Sequence, residues 1–259
     1  MYISEGSYVL IYHQRSKTWL TKVITNNKLH THIGIIDFSK IIGMEFGSSY
    51  YTPKGKLVHL LKPTIYDFVM KSERKTQIIY PKDLGYIAAR AGLQSGFKVL
   101  EVGTGSAALT TYFAALVKPD GHIFTYDVNE EFMEIAKKNL ERAGLDRYVT
   151  MIKHLGNGYS EKDIDVAIID LGDPWNVIPF LYTSLKSSGS VIAICPTMNQ
   201  LEKTAYALEN EGFTDIESSE IISRNIEARV GKTRPSMRMI GHTTYLIFAR
   251  KILKPEAIN

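Results

Sequence analysis

The chain has 259 residues, 44% hydrophobic and 22% charged, room for one large domain and a smaller companion at about 150 residues per domain, and not a collagen-like, low-complexity or wholly disordered composition. A single cysteine, Cys195, excludes a disulfide scaffold and a thiolate zinc site. No apolar run reaches the roughly 18 to 20 residues of a membrane span, and the opening MYISEGSYVLIYHQ lacks a basic n-region and a cleavage-site pattern, so a soluble, cytoplasmic protein without metal is expected. Of the net +4, residues 1–75 carry 11 Lys+Arg against 5 Asp+Glu, hence +6, leaving 20 against 22, hence −2, for the rest. A basic front suggests phosphate as a partner, although many solvated faces are basic without one.

Residues 1–65 alternate and turn often. GSYVLIYHQ, TWLTKVI and HTHIGIIDF are separated by polar turns, with Gly43, Gly47 and Gly55 following, which predicts a small β-barrel or sandwich. His13, His30 and His32 lie there without metal-ligand spacing. From residue 66 to 259 strands and helices alternate, predicting an α/β domain. Pro81 sits at a helix start, and Leu84, Ile87, Ala88 and Ala91 recur at helical spacing before Gly92. The strand KVLEVG, a glycine turn, a helix through LTTYFAALV and the strand HIFTYDV complete one βαβ unit. A helix ending at Gly144 and the strands VTMIKHL, IDVAIIDL and SVIAICP follow. These strands are nearly all apolar, as in a sheet covered on both faces. Residues 224–239, RNIEARVGKTRPSMRM, are basic and without clean periodicity, a loop near a site or an ordinary surface loop.

Glu101-Val102-Gly103-Thr104-Gly105-Ser106-Ala107-Ala108 joins a strand to a helix, where glycines bring the backbone close to a ligand. Asp127 ends the next strand, where a carboxylate can accept from both ribose hydroxyls of a nucleoside cofactor. That pattern alone fits NAD as well as S-adenosylmethionine. Asp170-Leu171-Gly172-Asp173-Pro174-Trp175 closes a later buried strand. It is either a plain turn or a site for a flat base, similar to the Asp/Asn-Pro-Pro-aromatic segment of methyltransferases acting on base amino groups.

Taken with Thr76-Gln77-Ile78-Ile79-Tyr80-Pro81-Lys82-Asp83, Arg234-Pro235 and Gly241-His242-Thr243, these motifs resemble, over nearly the whole chain, the archaeal branch of the tRNA (adenine-58-N1)-methyltransferase family. The resemblance implies a class I S-adenosylmethionine-dependent methyltransferase, with a Rossmann-like, mostly parallel seven-stranded sheet and a small tRNA-contacting N-terminal β-domain. It also implies a T-loop adenine substrate and a homotetramer. Cofactor contacts then fall to Gln77, Ile78, Ile79, Glu101, Gly103, Gly105, Ser106, Ala107, Leu109, Asp127, Val128, Asn157 and Asp170. Tyr80 and His242 are expected beside the substrate, Tyr80 as a wall for the target base, and Arg229, Lys232 and Arg234, with Arg224 and Arg238, on tRNA phosphates. Asp170 is the expected catalytic residue: a carboxylate facing the adenine N6 binds the transition state more strongly than the ground state as positive charge develops, and can accept the proton that methylation acidifies. Two departures stand out: Ala107 replaces the last glycine of the family's GxGSG, and Asn157 stands where many members have Asp. A nicotinamide dehydrogenase and a non-catalytic RNA-binding subunit are the competing readings. The first lacks a proton donor paired with a substrate-binding Arg, and the second would not need both the glycine turn and Asp170.

Overall fold

Alternating apolar residues build the first strands, β1 (Tyr8–Gln14) and β2 (Lys17–Lys22), a hairpin in which Val9 and Ile11 are fully buried. They are followed by β3 (Lys28–Thr31), β4 (Gly34–Asp37), β5 (Ser49–Tyr51), β6 (Leu57–Leu61) and helix α1 (Ile65–Met70). The sheet order is β2-β1-β6-β5, all antiparallel and open at both edges, while β3 and β4 pair only with each other. Ile3, Val23, Ile36, Phe38, Ile41, Val58 and Leu60 complete a core around β1. The computed structural model describes residues 1–154 and 158–254 and divides into two units, Met1–Ser72 and Glu73–Asn259. Helix α1 belongs to the first: a capping box between Thr64 and Asp67 starts it, and Phe68 meets the Tyr8 ring edge-on at 5.6 Å.

The second unit contains α2 (Pro81–Arg90), β7 (Lys98–Val102), α3 (Ala108–Val117), β8 (His122–Asp127), α4 (Glu130–Ala143), β9 (Val149–Lys153) and β10 (Ile164–Ile169). There follow α5 (Ile178–Ser184), β11 (Leu185–Cys195), α6 (Met198–Glu211), β12 (Phe213–Glu220), the short pair β13 (Ile226–Glu227) and β14 (Arg234–Pro235), and β15 (Tyr245–Lys251). Seven strands form one sheet in the order β12-β15-β11-β10-β7-β8-β9. Only β15 runs antiparallel to its neighbours.

Local chemistry explains these boundaries. Asn129 caps α4 by accepting from the Glu131 and Phe132 amides, worth about 1 kcal/mol, and Gly144 ends it at φ 67°. In β10 Ile164, Val166, Ala167, Ile168 and Ile169 are all buried, so the strand reads as a run rather than an alternation. Strand β11 starts at Leu185, earlier than SVIAICP suggests, because Leu185 pairs with Ile164 across a register irregularity. The order reverses beside β7 and β10, and the loops after both strands open at that switch point.

Candidate active site

The turn after β7 is a backbone construction. The Gly103 and Thr104 amides donate to the Tyr126 carbonyl, and the Asp170 amide donates to the Val102 carbonyl at 2.8 Å, so the two loops lie against each other. Gly103 has φ +101°, and a Cβ there would sit 2.1 Å from the Asp170 carbonyl oxygen. Only glycine fits. Ala107, at the departure from the family pattern, has φ 59°, the left-handed region where a Cβ is strained. It is fully buried, and Ser106 and Ala108 rather than Ala107 face the adjoining cavity.

That cavity, of about 410 Å³, is lined by Gln77, Ile78, Ile79, Glu101, Gly103, Gly105, Ser106, Leu109, Asp127, Val128 and Asp170, all expected cofactor contacts. Thr76, Thr104, Ala108, Asn129, Phe132, Leu171 and Gly172 line it too. Asn157 lies outside the described residues. The segment bearing Gln77 is tied down at both turns: Thr76 Oγ1 lies 3.0 Å from Ser106 Oγ, and Asn139 Nδ2 donates to the Glu73 and Ser106 carbonyls. Asp127 has a second task that the motif does not reveal. Its Oδ2 accepts from the Gly105 amide and its Oδ1 from the Asn129 amide, both at 2.9 Å, so it also sets the glycine turn.

Three carboxyl groups share this cavity. Glu101 is 1% exposed, and its Oε2 accepts from Thr110 and Thr125 at 2.7 Å. Burial outweighs those bonds, and with the charges of Asp170 and Asp127 it raises Glu101 to about 8. Burial, then Asp127, raises Asp170 to about 6. The Asp170 side chain has no hydrogen-bond partner among the described residues, and no Lys, Arg or His lines the cavity.

A second cavity, about 370 Å³, shares Gln77, Ile78, Ile79 and Asp170 with the first and continues to Tyr80, Asp83, Ile194, Pro196, Ile240, His242, Thr243 and Thr244. Asp83, fully buried, pairs with Lys82 at 2.8 Å, and Thr243 bonds to both. The DPW segment stays outside both cavities. Asp173 accepts from Asn176, and the Trp175 ring carries Lys203 Nζ at 4.8 Å, so Trp175 is no platform for a base here. Arg229, Lys232 and Arg234 line a separate depression with Glu227 and Thr233, and Glu227 pairs with Arg234 at 3.4 Å.

The first cavity fits S-adenosylmethionine. Asp127 lines it at the end of β8, Val128, Phe132 and Leu171 give apolar walls, and the Asp127 and Asp170 carboxylates, with no cation lining the cavity among the described residues, suit a sulfonium cation. A pyrophosphate would face the same carboxylates with no cation lining the cavity among the described residues, which argues against NAD. Ile194, Pro196 and Phe132 carry no motif and reach the site only through the fold. Thr76, Asp83 and Thr243 stand inside quoted motifs, and that is the signal which could have found them.

Residues 56–233 match the family of the tRNA methyltransferase complex GCD14 subunit. The tRNA (adenine(57)-N(1)/adenine(58)-N(1))-methyltransferase TrmI of Methanocaldococcus jannaschii is 36% identical, covering 98% of this chain and 97% of its own. The tRNA (adenine(58)-N(1))-methyltransferase catalytic subunit of Candida albicans is also 36% identical, over 88% and 70%. Among solved structures, a S-adenosylmethionine-dependent O-methyltransferase of Thermotoga maritima superposes with TM-score 0.92 at 35% identity, covering 98% and 96%. The tRNA (m1A58) methyltransferase TrmI of Aquifex aeolicus superposes at 0.85 with 32% identity, covering 98% and 100%. With the sheet order, the glycine turn and the acidic cavity in agreement, the chain belongs to the GCD14 family of tRNA methyltransferases, S-adenosylmethionine-dependent enzymes.

Proposed function

We propose that this protein methylates N1 of adenine 58, and adenine 57 where the tRNA presents it, in the T loop of tRNA. The observation that carries the reading is Asp170, a carboxylate whose side chain has no hydrogen-bond partner among the described residues and which lines both cavities. S-adenosylmethionine supplies an electrophilic methyl group on a positively charged sulfur. Asp127 and the turn at Gly103–Gly105 orient the nucleoside end, with Glu101, Gln77, Ile78, Ile79, Ser106, Leu109 and Val128 around the rest. Tyr80 and His242 line the second cavity with Asp170, which is where an adenine extruded from its stack would enter. The Asp170 carboxylate accepts from the adenine N6 amino group, strengthening as positive charge spreads from N1 to N6. Burial in a cavity with few competing dipoles makes that contact count for more than it would in water.

The basic first unit and Arg229, Lys232 and Arg234, with Arg224 and Arg238, supply phosphate contacts, since folded RNA is read largely through shape and backbone. The described helices include none long and apolar enough to cross a membrane. A cytoplasmic homotetramer is the assembly this reading carries, and light scattering that finds only monomer at micromolar concentration removes it. The mechanism is tested by single turnover: Asp170→Ala is expected to slow methyl transfer on the order of 100-fold or more while retaining a cooperative melt. A near-normal rate would move the catalytic role elsewhere on the rim.

A further inference from the structure

His242 is bonded in a way that fixes its charge. Its Nδ1 lies 2.6 Å from Glu220 Oε1 at the end of β12, and its Nε2 lies 3.0 Å from the Pro196 carbonyl oxygen just past β11. Neither a carboxylate nor a carbonyl can donate, so both ring nitrogens must, and a ring with two N–H groups is an imidazolium. Strand β15 lies between β11 and β12, and Cys195 and Glu220 both pair with Tyr245. The imidazole ring lies against the Tyr245 ring at 4.5 Å. His242 thus spans three strand ends where the second cavity opens, and Pro196, His242 and Thr243 are part of its wall.

We propose that His242 is a positioning residue: a doubly donating imidazolium that clamps the Pro196 and Glu220 strand ends and keeps the wall of the target-base cavity in place, so that tRNA engagement depends on its protonation. The proposal rests on the reading of that cavity as the place for the extruded adenine. Deprotonation leaves a ring lone pair facing either the Pro196 carbonyl or the Glu220 carboxylate, and the contact turns repulsive. The groups facing the ring are Glu220 from β12, Tyr245 from β15 and Lys82 from α2; Pro196, just past β11, contributes its carbonyl. Glu220 favours the cation. Lys82 opposes it, but Lys82 is itself paired with Asp83.

Glu220→Gln separates the clamp from the charge. An amide at position 220 can donate to Nδ1, leaving Nε2–H on Pro196, so both bonds survive with a neutral ring. In the free wild-type chain, NMR titration should place the His242 midpoint above the ordinary 6.5, and Glu220→Gln should bring it down. The KM for tRNA should rise as pH passes that midpoint in wild type and stay flat in Glu220→Gln. His242→Ala should raise KM by about tenfold at neutral pH, with kcat at saturating tRNA little changed. A wild-type midpoint at or below 6.5, a KM rise that persists in Glu220→Gln, or a fall in kcat without a change in KM for His242→Ala would each overturn the proposal. A wild-type chain that methylates no tRNA defeats the proposed substrate, while the titration on free protein still decides the clamp.

Discussion

Replacing Asp170 by Asn should make the protein more stable and nearly inactive, and the stability half can be worked from the structure. Burial and the neighbouring Asp127 move the Asp170 carboxyl from 3.8 to about 6. At about 1.4 kcal/mol per tenfold change in acidity, ionising it in the folded chain costs about 3 kcal/mol. The group keeps part of its surface exposed, so solvent screening takes the expected value toward half of that. For a raised carboxyl the sign is fixed: no penalty exists well below 3.8, where both folded and unfolded chains are protonated, it grows as pH rises through 3.8, and it is complete once pH has risen past about 6. Asn has the same shape and never ionises. Calorimetric melting of wild type and Asp170→Asn should therefore converge as pH falls below 3.8 and diverge as pH rises from there to about 6, the variant melting about 3–6 °C higher at pH 8. Equal melting at pH 8, or a less stable variant, would refute the picture of a carboxylate held at a cost for catalysis.

Gly103→Ala should lose about 2–4 kcal/mol of stability and most cofactor affinity by calorimetry, because its Cβ meets the Asp170 carbonyl. Ala107→Gly should gain about 0.5–1 kcal/mol in denaturant unfolding by relieving the left-handed residue at φ 59°. Asp127→Ala should raise the KM for S-adenosylmethionine more than it lowers kcat, and by loosening the Gly105 turn should also lower the melting temperature. Neutralising Arg229 and Lys232 together should weaken tRNA binding and shallow its log–log salt slope by about 1.5, with S-adenosylmethionine binding unchanged. An unaltered slope would make that depression structural.

The large-unit fold was legible because its signals are local. A continuous apolar run such as IDVAII means a strand covered on both faces, Asn129 and Gly144 bracket a helix, and a glycine turn after KVLEV announces the switch point. The first cavity was legible for the same reason, since most of its polar lining comes from motifs at strand ends. Other features depended on distant parts of the chain meeting. The DPW segment reads in sequence as either a plain turn or a site for a flat base, and what decides is Lys203 of α6, which occupies the Trp175 face. The second task of Asp127, holding two backbone amides, is invisible in a motif that explains the residue already. The charge of His242 depends on Pro196 and Glu220, which only the antiparallel insertion of β15 brings together.

The most direct test is mass mapping of modified nucleotides in an unmodified tRNA transcript after incubation with the pure chain and S-adenosylmethionine. The expected result is one added methyl group on N1 of adenine 58, alone or with adenine 57, dependent on Asp170. Methylation confined to another position or another atom of the base, or none under conditions where the cofactor binds, would contradict it.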